Sequence, residues 1–167
     1  MTNDGLVLAL YMTTRDFAHV LFEGPLSPID WGVKEVPGPK KSERCLESIV
    51  HLVRTHRPDV LVIEDYIDPQ SHRSRRIRRL NASIQRWAEE HRLEIHRYSR
   101  TQVRETFEKF GALTKDQIAE AIAKYIPALE HRRPPIRRPW MSEDSRMGLF
   151  DATALAFAFY RFGPHDS

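Results

Sequence analysis

Cysteine occurs once in this chain of 167 residues, at Cys45, so no internal disulfide can form and no cysteine-cluster metal site can be built. Position 45 falls on the apolar side of a helical pattern, which predicts a packed thiol rather than a reactive one. No apolar run reaches the roughly 20 residues that a helix needs to cross a bilayer. Met1-Thr-Asn-Asp also has neither the basic flank nor the cleavage pattern of a signal peptide, so a cytoplasmic protein is expected. Glycine is sparse, and none sits in a phosphate-cradling loop pattern, which counts against a small-molecule phosphotransfer enzyme. His19, His51, His56, His72 and His96 show no metal-ligand spacing and read as surface or packing residues.

What is present is enough apolar sequence, 41% of residues, for one sizeable core. Together with the length, this predicts a single domain spanning 1–167. Net charge is only +3, but the arginines are segregated, and segregation matters more than the total. Arg73, Arg75, Arg76, Arg78 and Arg79 fall in one stretch without an acid, and Arg132, Arg133, Arg137 and Arg138 form a second. Both suggest contact with a polyanion, with a solvated helix face as the alternative for the first.

Leu6 to Leu10 reads as a strand buried on both faces and ending at Tyr11. Phe17 to Phe22 follows as a hairpin partner across the turn Thr13-Thr14-Arg15-Asp16, and Trp31 to Val36 as a shorter third strand. Cys45, Leu46, Ile49, Val50 and Val53 recur at helical spacing between Lys41 and His56, and Pro58 stops that helix. Val60 to Glu64 is the next strand, expected to run parallel to the first. Ile77, Leu80, Ile84, Trp87 and Ala88 mark one face of a helix, and Leu93 to Tyr98 a fifth strand. Ser99 with Gln102, and Thr114 with Gln117, are capping-box patterns at two short helices. His131 to Trp140 is too rich in proline for a regular helix. The last helix starts between Ser142 and Gly148, with Ser142 or Asp144 as its expected N-cap, and stops before Gly163-Pro164.

Glu64 is the most informative residue, because it ends the apolar run Val60-Leu61-Val62-Ile63. Asp151 similarly heads the apolar segment Asp151-Ala-Thr-Ala-Leu-Ala. Two acids fixed to strongly buried elements suggest a divalent-metal site, since hard cations take carboxylate oxygens. The alternatives are a strand-end acid that caps a turn or pairs with an arginine, and a helix-start acid favoured by the helix dipole. Strand alternation puts Glu64 on one face with Val60 and Val62, and Tyr11 on one face with Val7 and Ala9.

The order of elements, with Arg57-Pro58-Asp59 leading into Ile63-Glu64, Ser99-Arg100-Thr101-Gln102-Val103-Arg104 followed by Gly111 and Lys115, and the closing Asp151-Ala-Thr-Ala-Leu-Ala, resembles the RuvC Holliday junction resolvases. That resemblance implies a ribonuclease H-like α/β fold: a mixed sheet of about five strands with helices on both faces. It further implies endonucleolytic cleavage of branched DNA with Mg2+ or Mn2+, and action as a homodimer. Glu64 and Asp151 match acid positions of the family and so become the expected metal ligands and catalytic groups. Lys115 matches a basic position near the scissile phosphate. The pattern is broken twice: Tyr11 stands where the first strand supplies an aspartate, and Gly148 stands one turn before Asp151, where another acid is usual. Asp16 is a weak candidate to compensate. The other reading is therefore a catalytically degenerate, DNA-binding or assembly subunit on the same fold.

Overall fold

In the computed structural model, residues 5–66, 74–134 and 146–163 are described. Five strands, β1 (Val7–Met12), β2 (Asp16–Phe22), β3 (Pro28–Glu35), β4 (Val60–Glu64) and β5 (Glu94–Tyr98), form one sheet in the order β3-β2-β1-β4-β5. β1 pairs antiparallel with β2 and parallel with β4, and β5 extends the parallel part. The hairpin closes where Thr13 N–H donates to the Asp16 carbonyl at 2.8 Å. β1 runs through Tyr11 to Met12, one residue beyond the expected end, because Tyr11 and Met12 still pair with Ala18 and Phe17. β3 starts earlier than its apolar pattern suggested, since an edge strand with a half-exposed face needs no continuous apolar run.

Alternation along the strands divides the core into two layers. Val7, Ala9, Tyr11, Val60 and Val62 face the last helix, α5 (Met147–Phe162). Leu8, Leu10, Met12, Leu61 and Ile63 face α1 (Lys41–His56) and α2 (Arg75–Glu90). Two short helices, α3 (Arg100–Glu108) and α4 (Lys115–Tyr125), pack on α5, and both begin with the expected capping boxes. Helices thus cover both faces of a mixed five-stranded sheet. α5 is buried nearly all round, which is why its sequence reads as one continuous apolar run rather than a stripe.

Two local expectations change. Pro127–Arg132 forms a 3-10 helix, so His131 and Arg132 belong to a short regular turn before the proline-rich stretch. α5 has Arg146 at its N-cap, without a side-chain cap bond; Ser142 and Asp144 lie outside the described residues. Asp151 consequently lies one turn inside the helix rather than at its start, where the dipole would have favoured it most.

Cys45 is buried against Ile49, and burial pushes its thiol up from 9.0 to about 11. The thiolate is disfavoured only in the folded state, so the unfolded chain ionises first and stability falls as pH rises from 9 towards 11. Over that interval the wild type should lose on the order of 2–3 kcal/mol more stability than Cys45→Ala, as read from urea unfolding at successive pH values. Parallel pH curves for the two proteins would contradict the assignment.

Candidate functional site

The site is built where β1, β4 and α5 meet. Glu64 is the last residue of β4, held in register with Tyr98 of β5. Its main-chain carbonyl accepts from Asn81 Nδ2 of α2 at 3.1 Å, which anchors the strand end independently of the carboxylate. Glu64 is 8% exposed. It lines a cavity of about 290 Å³ together with Asp151, Tyr11, Lys115, Arg100 and Arg104. Two acids far apart in sequence are thereby brought to one place, at the carboxyl ends of the central parallel strands, where open α/β sheets bind their ligands.

Lys115, in the first turn of α4, points into the same cavity. Its Nζ lies 3.3 Å from Asp151 Oδ2 and 5.7 Å from the centre of the Tyr11 ring. The Asp151 side chain is 15% exposed, so this ion pair is more shielded than a surface pair and holds both groups in position.

Tyr11 occupies the place on β1 where a third carboxylate would stand. Continuing the β1–β4 register by two residues sets it beside Glu64. A Cβ built on Gly148 would meet Tyr11 Cδ2 at 4.0 Å, Thr13 Cγ2 at 4.0 Å and Ala18 Cβ at 3.5 Å. The phenol ring and the bare glycine are therefore neighbours, and the two departures from the acidic pattern are one packing arrangement. Asp16 does not compensate. Its carboxylate accepts from Thr13 Oγ1 at 2.5 Å, and it lines a separate recess with Cys45 and Arg76. Among the described residues no group of three or more His, Cys, Asp or Glu is arranged to hold a metal ion.

The arginines divide by what they touch. Arg76 Nη2 donates to the Thr14 carbonyl at 2.8 Å, and Arg78 Nη1 donates to the Tyr66 carbonyl at 2.6 Å, so both tie α2 to the segments that follow β1 and β4. Arg75, Arg78 and Arg79 are all exposed on α2, and Arg76 is half-buried. Arg133 comes within 3.9 Å of Glu120, an acid its own stretch of sequence lacks, and Arg132 is half-buried. Arg73, Arg137 and Arg138 lie outside the described residues. Arg100 and Arg104, one turn apart on α3, are pocket residues that the sequence reading did not single out. Their spacing of four on a short helix was the available signal.

This division has a measurable consequence. Arg78→Gln should cost about 1 kcal/mol of stability through a lost charged hydrogen bond on an exposed side chain. Arg75→Gln with Arg79→Gln should leave thermal unfolding within about 0.5 kcal/mol of the wild type, as exposed side chains on a helix face do. Melting curves of the two variants separate the roles. A double variant destabilised more than Arg78→Gln would overturn the division.

No protein-family model matches the sequence, and no curated protein matches it. Solved structures do match the fold. Thermus thermophilus RuvC superposes with a TM-score of 0.66 at 14% identity, covering 94% of this chain and 96% of that one. The fold is that of the RuvC resolvases. The RuvC-like architecture extends to the yeast mitochondrial Holliday junction resolvase Ydc2, with a TM-score of 0.67, 13% identity and coverage of 97% and 80%. The fowlpox virus Holliday junction resolvase is more distant, at 0.52 and 12% identity over 94% and 98%. The expected α/β class, a mixed sheet of about five strands with helices on both faces, is thus the observed one, in a chain that matches T. thermophilus RuvC nearly end to end.

Proposed function

We propose that this protein is a RuvC-like DNA-binding protein of the metal-dependent endonuclease type, acting on branched or otherwise structured DNA. The observation that carries the reading is the meeting of Glu64 and Asp151 in one cavity at the carboxyl ends of β1 and β4. It is supported by the fold, which the chain has in common with T. thermophilus RuvC solved with a Holliday junction substrate.

The donor set suits one hard divalent ion. Two carboxylates, completed by waters and a substrate phosphate, are an ordinary magnesium environment. It does not suit a closely spaced pair of such ions, because Lys115 already offsets Asp151 and Tyr11 offers a neutral phenol in place of a carboxylate. A bound magnesium or manganese ion would supply Lewis-acid polarisation of the phosphate and a more acidic water. The chain's own groups do the remaining work. Glu64 and Asp151 would hold the ion, while Lys115, Arg100 and Arg104, which line the same cavity, would balance phosphate charge. Cutting a four-way junction symmetrically needs two such sites, so the working form is a homodimer, acting in the cytoplasm.

The second reading, a DNA-binding subunit without nuclease activity, is favoured by one specific observation: Tyr11 and Gly148 pack together where two acids would stand. Binding and cleavage assays on four-way and flap DNA, with magnesium or manganese, decide between them. Ion-dependent cutting establishes the first reading. Steeply salt-dependent binding without cutting leaves the second, and no binding even at low salt overturns both.

A further inference from the structure

Outside the acid cavity, two aromatic side chains stay open to solvent where α3 and α4 come together: Phe110 is 39% exposed and Tyr125 is 46% exposed. α4 buries Ile118, Ala119, Ile122 and Ala123, and Tyr125 is not part of that face. Phe110 follows the end of α3, with its ring centre 6.2 Å from that of the buried Phe107. Phe110 and Tyr125 meet each other at 5.2 Å between ring centres, with their planes inclined by 53°. Together they line a groove of about 350 Å³ with the small residues Gly111, Ala112 and Ala121. Gly111 leaves the chain at φ 71°, and a Cβ built there would meet nothing within 4 Å, so the groove is open at this point.

The charges beside the rings decide what fits. Lys109 Nζ lies 5.1 Å from the centre of the Phe110 ring, and Lys124 lines the groove. Glu120, the acid of the lining, has Arg133 at 3.9 Å. A purely apolar protein segment would use the rings and leave these cations idle. A nucleic-acid strand uses both, because bases stack on aromatic faces while phosphates meet lysine and arginine. Paired bases inside a duplex offer no such free face, so the strand is a single one.

We propose that the groove between α3 and α4 binds an unpaired DNA strand, with a base against Phe110 and Tyr125 and the adjoining phosphates against Lys109 and Lys124. The inference rests on the nucleic-acid reading above and adds to it a second contact, outside the acid cavity. Residues 110–112 line the groove and residues 113–115 line the cavity, so one connection separates the two hollows. A strand that is already single, such as a flap or a tail, enters the groove without any base pair being opened.

The test measures binding of the full-length protein to a labelled oligodeoxythymidylate, which has no structure of its own, and to an abasic strand of the same length and charge. The wild type should bind the thymidylate at least about fivefold more tightly, as stacking of one base on an aromatic ring supplies. Phe110→Ala and Tyr125→Ala should each remove that preference, and Tyr125→Phe, which keeps the ring, should retain it. Both alanine changes fall at exposed positions, and circular dichroism reports whether each variant is folded. Affinity for a four-way junction should stay within about threefold in all three variants, since phosphate contacts dominate it. The proposal is overturned if the wild type binds the two strands equally, or if the folded alanine variants keep the preference. Self-association of the wild type that Phe110→Ala abolishes, without any preference for thymidylate, overturns it in favour of a protein partner. A wild type that prefers thymidylate but binds no junction overturns the proposed function and leaves the groove assignment standing. Junction binding without that preference does the reverse.

Discussion

On the endonuclease reading proposed above, Glu64→Gln should lower ion-dependent cleavage of a four-way junction by at least about a hundredfold, while junction affinity changes by less than about threefold. The amide has the shape of the carboxylate but cannot offer a hard cation an anionic oxygen. The backbone should not move, because the β4–β5 pairing and the Asn81 bond to the Glu64 carbonyl hold the strand end without the side chain. The measurement is cleavage rate at saturating protein beside an equilibrium binding curve. A variant that cuts as fast as the wild type would remove Glu64 from the chemistry. A variant that loses binding and cutting together would make Glu64 a structural residue.

The second large effect is expected from restoring the missing acids. Tyr11→Asp empties the space of a ring, and Gly148→Asp adds a side chain whose first atom would make only ordinary contacts at 3.5 to 4.0 Å. The double variant would gather four carboxylates in one mostly buried place, so without metal it should be less stable than the wild type, through mutual repulsion and desolvation. Manganese should then stabilise it strongly, by about 2.7 kcal/mol once the free ion reaches a hundred times its dissociation constant. The wild type, with two carboxylates and a lysine, should shift far less at the same concentration. Thermal unfolding across a manganese titration reads both. Equal shifts would mean that Tyr11 and Gly148 do not limit metal binding, and the donor-set argument would fall.

The parts of this protein legible in its sequence were those governed by local rules. Glu64 was placed on the correct face because residues two apart on a strand share a side, and the caps at Ser99 and Thr114 announced α3 and α4 through their glutamines. The start of α5 was legible only as a window, between Ser142 and Gly148, and its cap was not, because Arg146 caps it without a side-chain bond and leaves no motif. The roles of Arg76 and Arg78 were hidden for a different reason: their partners are main-chain carbonyls of Thr14 and Tyr66, which no residue type advertises. Arg133 looked free of acids only because Glu120 reaches it from another helix. For the site, both carboxylates were visible as candidates, but the Lys115 contact with Asp151 and the packing of Tyr11 beside Gly148 required the fold.

The two-layer core has a consequence for the order in which the molecule comes together. The layer beneath α1 and α2 draws on residues from Leu8 to Ala88, whereas the opposite layer is closed by α5, which touches all five strands. Contacts of such long sequence separation carry the larger loop-closure cost, so α5 is expected to dock last. Pulsed hydrogen exchange during refolding should therefore protect the amides of β1, β4 and α2 before those of α5, and the reverse order would refute this. An incompletely assembled chain would then display the exposed arginines of α2 yet lack the Asp151 half of its acid pair. The cationic face would thus be in place before the carboxylate cavity.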